Sequence, residues 1–304
     1  MRTIGICRAL HAYDSLALWQ GFIERLGFRV LVSEPTDREM VDAGVRIAPA
    51  ELCLPAKVFL GHVLSLKGTV DALFIPRLVC RKMDGDRFFG CPKTLALPDM
   101  TRALVEDLPP IVELCVDERE GSEDKAYREL AAALGSNGRR WKAALREARA
   151  AAGEAAARVF SDEADDGPAI GVIGHSYLLR DRVLSLDLLG KLAKVGARAV
   201  LAEDVAARPD LRPEFVPNWS FELELIDAGA GMLEAGVDGL LLASSFACGT
   251  SAVTNDIIRR MARQRASHVP VLEVFFDEHS AEAGLVTRLE SFVDLIRMRG
   301  EVRV

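Results

Sequence analysis

Residues 70–76 read Val-Asp-Ala-Leu-Phe-Ile-Pro, and a similar stretch, Val-Asp-Gly-Leu-Leu-Leu-Ala, occupies residues 237–243. Each is a short, continuous apolar run, which is typical of a parallel β-strand that is covered on both faces. Because the run occurs twice, the sequence predicts two similar halves, each built around a buried parallel sheet.

Further matches lie around these two runs. Residues 4–6 (Ile-Gly-Ile) and 170–174 (Ile-Gly-Val-Ile-Gly) each open a half, and each is followed by a helical stretch. That stretch ends at Gly27 in one half and at Gly196 in the other, as expected of glycines that end a helix and lead into a strand. Alternating strands and helices predict an α/β fold with two doubly wound parallel-sheet domains of the Rossmann or flavodoxin type.

The domain boundaries follow from a change in composition. We expect an N-terminal α/β domain at residues 1–122, a helical connector and linker at 123–166, and a C-terminal α/β domain at 167–304. The connector is rich in Ala, Arg, Glu and Leu, and it reads as two helices broken at 135–138, Gly-Ser-Asn-Gly. The apolar spacing after Gly284 predicts a terminal helix that packs on a domain core.

Composition excludes several classes of protein. The chain has 304 residues and a formal net charge of -7, which argues against nucleic-acid binding. None of its apolar runs approaches the length of roughly 20 residues that a membrane-spanning helix needs. Its first residues do not have the pattern of a signal peptide. We therefore expect a cytoplasmic protein whose six cysteines are not a disulfide scaffold.

Three cysteines lie beside residues that shape loops. Cys53 is in Cys-Leu-Pro, Cys91 is in Gly-Cys-Pro and Cys248 is in Ala-Cys-Gly. Proline ends regular structure and glycine lets the backbone pass close to a ligand. Thiolates gathered from separate loops suit a cluster cofactor better than a zinc site. The absence of a closely spaced cysteine pair, however, means that spacing alone favours buried thiols over a cluster.

The predicted fold gives these cysteines a common location, because ligands of open parallel sheets bind beyond the carboxyl ends of the strands. Cys80 and Cys248 follow the two matching strands, Cys91 lies on the next loop, and Cys53 follows a strand-like segment at residues 45–48. Two domains that form a cleft could bring Cys53, Cys91 and Cys248 together.

The remaining cysteines divide into two groups. Cys7 follows a buried strand and Cys115 lies within a strand-like segment, so both are interpreted as packing residues. Cys80 is interpreted either as a packing residue or as a fourth metal ligand.

Two polar groups are further site candidates. Asp277, Glu278, His279 and Glu282 follow a predicted strand at 269–274, where they would serve either as acid/base groups or as helix caps. His175 ends the first strand of the second half, which is a ligand-facing position, although a lone histidine is more often a structural residue than a site residue. Neither a phosphate-binding P-loop nor a dinucleotide fingerprint is present, so any ATP would be bound by a partner.

The chain resembles the acyl-CoA dehydratase activase-related proteins, which are related to the subunits of 2-hydroxyacyl-CoA dehydratase and benzoyl-CoA reductase. The resemblance runs over nearly the whole chain and is carried by residues 4–10, 53–62, 91–93, 244–249 and 277–288. The chain departs from the family pattern at Cys7, where proline is usual, at Ser176, where a His-Pro pair is usual, and at Cys80.

The resemblance implies an iron–sulfur protein. It implies a [4Fe-4S] or double-cubane cluster held by Cys53, Cys91 and Cys248, with Cys80 or an open iron completing the site. It further implies low-potential electrons from a separate ATP-hydrolysing iron–sulfur activator, and pairing with a related subunit or a second copy. Glu278, His279 and His175 are then the candidate catalytic or supporting residues.

The sequence leaves three functions open. The chain is a redox component that resembles a reductase or dehydratase, a non-catalytic accessory protein that holds a cluster, or a small-ligand-binding protein with structural thiols. A cluster excludes the third, and a cluster signal that responds to acyl-CoA favours the first over the second.

Overall fold

The computed structural model describes residues 2–136, 138–157 and 167–301. The chain divides into two compact units, Met1–Asp162 and Glu163–Val304. The linker predicted at the end of the 123–166 segment lies outside the described residues, which resume at residue 167.

The N-terminal unit is built on one mixed sheet. Its strands are β1 (Thr3–Ile6), β2 (Arg29–Val32), β3 (Ala72–Met83), β4 (Asp86–Phe89) and β5 (Ile111–Asp117). Four of them are parallel in the order β2-β1-β3-β5, and β4 pairs antiparallel with the far end of β3. The chain runs from β1 outward to β2 and then crosses back to β3 and β5 on the other side of β1, as in a doubly wound sheet. The antiparallel hairpin of β3 and β4 is an addition to this sheet.

The described part of the N-terminal unit also contains seven helices. They are α1 (Ala12–Arg25), α2 (Arg38–Ile47), α3 (Leu54–Leu66), α4 (Pro92–Leu95), α5 (Leu97–Leu104), α6 (Glu123–Ala133) and α7 (Arg140–Ala157). The last two are the pair predicted within 123–160, and they pack on α1. The Phe22 and Tyr127 rings meet edge to face at 4.9 Å, and Arg25 forms an ion pair with Glu147 at 3.3 Å. The paired helices therefore belong to the N-terminal unit.

Close packing of α2 on α3 sets the path of the chain before Cys53. A Cβ atom at Gly44 would lie 1.9 Å from the carbonyl oxygen of Lys57, and one at Gly61 would lie 2.0 Å from that of Met40. Only glycine fits at these two positions because the helix backbones nearly touch. The prediction of a strand-like segment at 45–48 was wrong. These residues form the C-terminal end of α2, whose buried face includes Met40 and Val41.

The neighbourhood of Cys80 also differs from expectation. β3 continues through Cys80 to Met83, so this cysteine lies inside a strand and does not follow one. Residues 80–89 form a β-hairpin, which turns at Asp84 and Gly85 with φ values of 53° and 89°. An Asp-Gly pair favours this turn because both residues tolerate positive φ.

The C-terminal unit repeats the parallel part of this plan. Its strands, β6 (Ala169–Ile173), β7 (Arg198–Val200), β8 (Gly239–Ser245) and β9 (Val271–Phe276), are all parallel in the order β7-β6-β8-β9. The helices are α8 (Ser176–Leu179), α9 (Leu188–Lys194), α10 (Ser220–Ala235), α11 (Gly249–Arg265) and α12 (Glu282–Glu301). The two-domain, doubly wound α/β prediction is confirmed.

Burial explains why the repeated apolar runs were informative. All seven residues of β8 are buried, as a central strand covered on both faces requires. Gly27 and Gly196 follow helices with φ values of 98° and 73°, as predicted for helix-ending glycines. The terminal helix α12 packs Leu289, Phe292 and neighbouring apolar residues on the core. No helix within the described ranges is long and apolar enough to cross a membrane.

Candidate functional site

The three cysteines singled out by the sequence share one structural position. Cys53, Cys91 and Cys248 each lie immediately before the first residue of a helix, namely α3, α4 and α11. All three have extended backbone ψ values, of 151°, 137° and 100°. The first turn of a helix presents backbone N–H groups and a partial positive charge, which favour an anion such as a thiolate. The effect is smallest for Cys91, because α4 has only one turn.

In the N-terminal unit, a hydrogen bond joins the loops of Cys53 and Cys91. The Lys93 ammonium, two residues after Cys91, donates to the carbonyl oxygen of Glu51 at 3.0 Å. The loop around Cys91 is also tightly packed, because a Cβ atom at Gly90 would lie 2.2 Å from the carbonyl oxygen of Leu78. The two cysteines are thus presented by loops that lie next to each other.

Arg77 fixes the helix that Cys91 begins. Its guanidinium group donates to the carbonyl oxygen of Leu95, the last residue of α4, at 2.9 Å. The same group donates to Asp99 at 2.8 Å and to Glu113 of β5 at 2.9 Å. A single half-buried arginine therefore ties α4 and α5 to the sheet.

In the C-terminal unit, Cys248 lies within a hydrogen-bonded group of side chains. Its sulfur is 3.1 Å from the Ser251 hydroxyl and 3.5 Å from the Thr250 hydroxyl, both in the first turn of α11. The Ser251 hydroxyl is in turn 3.4 Å from Nε2 of His175, which precedes α8. The structure therefore brings together two of the residues predicted for the site, Cys248 and His175.

Glu222 completes this group and was missed by the sequence reasoning. Its Oε1 atom lies 3.3 Å from Nε2 of His175, and its side chain, 2% exposed, also hydrogen-bonds to Thr250. An acidic residue in the first turn of α10 is ordinarily a solvent-facing partner of the helix dipole, so the sequence around it carried no signal. We refer to Cys248, Ser251, His175, Glu222 and Thr250 as the Cys248 network.

The network changes the acidity of its members. Burial by itself would raise the pKa of Cys248, but hydrogen bonds with His175, Ser251 and Thr250 lower it to about 6. Burial would lower the pKa of His175, but hydrogen bonds with Cys248 and Glu222 raise it to about 9. Burial by itself would raise the pKa of Glu222, but the hydrogen bond with His175, the charge of His175 and the hydrogen bond with Thr250 together hold it below the usual range. At neutral pH the network favours a thiolate, an imidazolium and a carboxylate.

The backbone on either side of Cys248 has two unusual features. Ala247 has a φ of 62°, a left-handed conformation that costs a residue with a Cβ atom about 1–2 kcal/mol. Gly249 is unconstrained: a Cβ atom there would have no atom within 4 Å. A strained residue before a functional side chain and an open glycine after it are both common in loops that present the side chain to a ligand.

The other cysteines have different surroundings. Cys7 is buried, as predicted, and burial raises the pKa of its thiol above the ordinary range. Cys80 is also buried, with a pKa raised by burial. The interpretation of Cys115 as a packing residue was wrong, because alternation along β5 leaves it exposed.

The acidic segment after β9 forms a local turn. Asp277 accepts hydrogen bonds from the backbone N–H of His279 and from the Ser280 hydroxyl, each at 2.9 Å. His279 is exposed on this turn, and Glu282 begins α12 and lies 3.4 Å from the Lys191 ammonium. These contacts favour the turn-forming interpretation of Asp277, while the site roles of Glu278 and His279 stay predictions.

Within the described ranges, no three or more His, Cys, Asp or Glu side chains lie close enough together to hold a metal ion. The geometry provides one thiol, that of Cys248, whose ionisation is favoured by the buried pair of His175 and Glu222. It also provides the thiols of Cys53 and Cys91, which lie at helix N-termini on adjoining loops. Thiolates in such positions act as nucleophiles or as ligands of soft metals.

Comparison with known proteins identifies the family. The family model described as the CoA enzyme activase uncharacterised domain (DUF2229) matches residues 3–205, so the chain belongs to this activase-related family. The chain matches no curated protein.

Solved structures give only distant likenesses. A putative phosphosugar isomerase from Silicibacter pomeroyi DSS-3 aligns over 99% of this chain and 86% of its own, at 14% identity and a TM-score of 0.21. The tagatose-6-phosphate ketose/aldose isomerase from Escherichia coli aligns over 98% and 83%, at 11% identity and a TM-score of 0.23. At these values neither likeness supports a functional argument.

Proposed function

From membership of the activase-related family, we propose that this protein is an iron–sulfur redox protein. Cys53, Cys91 and Cys248 hold a [4Fe-4S] cluster, and a separate ATP-hydrolysing activator supplies it with low-potential electrons. Cys80 is the remaining candidate ligand. The proposal makes the chain the electron-accepting partner in an activase system.

The observation that carries the proposal is the shared position of the three cysteines at helix N-termini. A cluster with thiolate ligands is an anion, and helix N-termini stabilise anions through their dipole and their unpaired N–H groups. The three cysteines lie far apart in sequence, so a common helix-start position is not a consequence of local spacing. The N-terminal positions of α3 and α11, both longer than three turns, contribute most of this effect.

The chemistry of the donors also fits. Iron–sulfur clusters are held by cysteine thiolates, and when bound such a cluster would supply one-electron chemistry. The Cys248 network favours the deprotonated sulfur that ligation needs, and Gly249 leaves the space beside it open. In contrast, the buried and protonated thiol of Cys80 is less suited, so we rank it below the other three.

The residues around the sulfurs have separate tasks. The hydroxyls of Ser251 and Thr250 contact the sulfur of Cys248. His175 contacts the Ser251 hydroxyl and Glu222 hydrogen-bonds with Thr250, so this pair holds the two hydroxyls in place. Hydrogen bonds to ligand sulfurs and burial around them are the main means by which a protein tunes a cluster's potential. The network is therefore expected to tune the potential as well as the position of the ligand.

Cysteine variants test the ligand assignment. We expect Cys53→Ala, Cys91→Ala and Cys248→Ala each to lower the iron content after anaerobic reconstitution and to change or abolish the EPR signal of the reduced protein. Cys115→Ala is the matched control, since this exposed cysteine is not a proposed ligand. If the three variants keep the iron content of the control, the assignment is wrong.

Electron acceptance needs its own test. An ATP-hydrolysing iron–sulfur activator, prereduced with dithionite and then freed of the reductant, is mixed with the reconstituted protein. We expect the cluster to become reduced with ATP and to stay oxidised without it. Reduction that is independent of ATP, or absent with ATP, would contradict the proposed partner while leaving the cluster itself untouched.

A further inference from the structure

Arg8 lies where doubly wound sheets bind their ligands. In the N-terminal unit the chain runs from β1 to β2 and then returns past β1 to β3, so the direction of winding reverses beside β1. Ligands of such sheets bind beyond the carboxyl ends of the strands at this reversal. Arg8 is the second residue after β1. In the C-terminal unit β6 has the same place in the sheet, and the second residue after it is His175 of the Cys248 network.

A buried chain of hydrogen bonds holds Arg8 in place. Its backbone N–H donates to the Ser33 hydroxyl at 2.8 Å, and its Nε–H donates to the carbonyl oxygen of Ser33 at 3.3 Å. The Ser33 hydroxyl lies 2.8 Å from Nδ1 of the fully buried His62, whose Nε2 lies 3.0 Å from the Thr36 hydroxyl. A side chain that is already held at Nε loses less conformational freedom when its end binds a ligand.

Within the described ranges, the charged end of Arg8 has no partner. After the bond from Nε, four of the five N–H donors of its guanidinium group remain. The carboxylates nearest in sequence are those of Asp14 in α1 and Glu34 after β2, and neither forms an ion pair with Arg8. A half-buried cation without a carboxylate beside it attracts anions.

Two backbone N–H groups next to Arg8 also lack a hydrogen-bond partner in the described part of the chain. They belong to Ala9 and Leu10, which are 6% and 4% exposed. Buried backbone N–H groups are nearly always paired, so two consecutive exceptions indicate donors that serve a ligand. Leu10 is left-handed, with a φ of 50°, and His11 after it is right-handed. This alternation turns successive N–H groups toward one side, as in anion-binding concavities.

We propose that the site formed by Arg8, Ala9 and Leu10 binds the phosphate group of a small molecule. The number of donors decides between the two common anionic groups. The four donors of Arg8 and the two backbone N–H groups make six. A carboxylate has about four acceptor positions on two oxygens, whereas a phosphate group presents three strong acceptor oxygens and more charge. The proposal goes beyond the proposed function, because none of these residues is a proposed cluster ligand.

The test is isothermal titration calorimetry of the full chain with inorganic phosphate, at an ionic strength held constant with sodium chloride. We expect saturable binding at one site per chain, at least about fivefold tighter than the binding of acetate. Methyl phosphate distinguishes the two sources of a phosphate group. Binding as tight as that of inorganic phosphate indicates a phosphate ester as the natural ligand, and weaker binding indicates free phosphate.

Paired variants locate the site. Arg8→Gln removes the charge and should weaken phosphate binding at least about tenfold, as expected for charge-assisted hydrogen bonds. Arg38→Gln is the matched control, because it removes one positive charge from a side chain of α2 that is 70% exposed and paired with Asp42. It should bind phosphate like the unmodified protein. Arg8→Lys keeps the charge but loses the planar fork of donors, and it should weaken binding about threefold.

Three results would overturn the proposal. They are the absence of saturable phosphate binding, equal phosphate affinities of the Arg8→Gln and Arg38→Gln proteins, and acetate binding as tight as phosphate binding. Melting curves establish that each variant is folded before its affinity is compared. The iron content of each sample is measured separately, so failure of the phosphate site and failure of the cluster are distinguished.

Discussion

The thiol of Cys248 should ionise well below the pH at which an ordinary cysteine does. Its hydrogen bonds with His175, Ser251 and Thr250 lower its pKa to about 6, whereas an unperturbed cysteine has a pKa of about 8.5. The perturbation is a change of pH on metal-free protein, prepared with a chelator. The measured quantity is the rate at which iodoacetamide modifies each cysteine, resolved by peptide mass spectrometry.

The expected size of the effect follows from the fraction of thiolate. With a pKa of about 6, Cys248 is about 9% ionised at pH 5 and about 91% ionised at pH 7, so its rate should rise about tenfold and then level off. An ordinary cysteine is about 3% ionised at pH 7, and its rate should rise about twentyfold or more by pH 9. The ratio of the rates at pH 9 and pH 7 separates the two cases, and it is insensitive to differences in intrinsic nucleophilicity between thiols.

Cys115 provides an internal control in the same sample. It is exposed, and partial burial raises its pKa, so its rate should still be climbing steeply between pH 7 and pH 9. The reasoning is refuted if the rate of Cys248 modification also climbs through this interval with a midpoint near or above 8.5. That result would mean that the Cys248 network does not stabilise the thiolate.

Further predictions concern the network and the two loops. Glu222→Gln and Asp227→Asn each weaken a buried ionic contact of α10, so each should lower the free energy of unfolding by about 1–3 kcal/mol in denaturant titrations. Only Glu222→Gln should raise the pH midpoint of Cys248 alkylation. Equal midpoints in the two variants would show that Glu222 does not act on Cys248. Gly90→Ala should destabilise the protein by about 1–3 kcal/mol, since its Cβ would meet a backbone oxygen at 2.2 Å. Gly249→Ala should leave the melting temperature unchanged or raise it, because its Cβ would meet nothing, yet it should reduce iron content if a cluster lies beside Cys248. Unchanged iron in the Gly249→Ala protein would place the cluster elsewhere.

Much of the fold could be predicted because the parallel strands are buried on both faces. Such strands must be continuous apolar runs, and the runs at 72–75 and 239–242 have this form in both halves. The short strand-like segment at 45–48 was misread because the pattern of four residues cannot distinguish a strand from the end of a helix. Its helical state depends on the contact of Gly44 with α3, which is a tertiary feature.

The candidate site was predicted in part. Proline or glycine beside Cys53, Cys91 and Cys248 indicated loop positions, and the structure shows that each of these cysteines precedes a helix. Glu222 could not be found from the sequence, because an acid in the first turn of a helix is commonplace. Its importance comes from burial beside His175, which only the packing of α10 against α11 and against the residue before α8 produces.

An iron–sulfur cluster is proposed for this member of the activase-related family. The most direct test is the content of iron and acid-labile sulfide after strictly anaerobic purification, with an EPR spectrum of the dithionite-reduced protein. The account predicts about four irons and four sulfides per chain and a reduced-cluster signal, or about eight irons if the cluster is a double cubane. A folded protein that takes up no iron, even after reconstitution, would contradict the account and leave Cys248 as an activated thiol without a cluster.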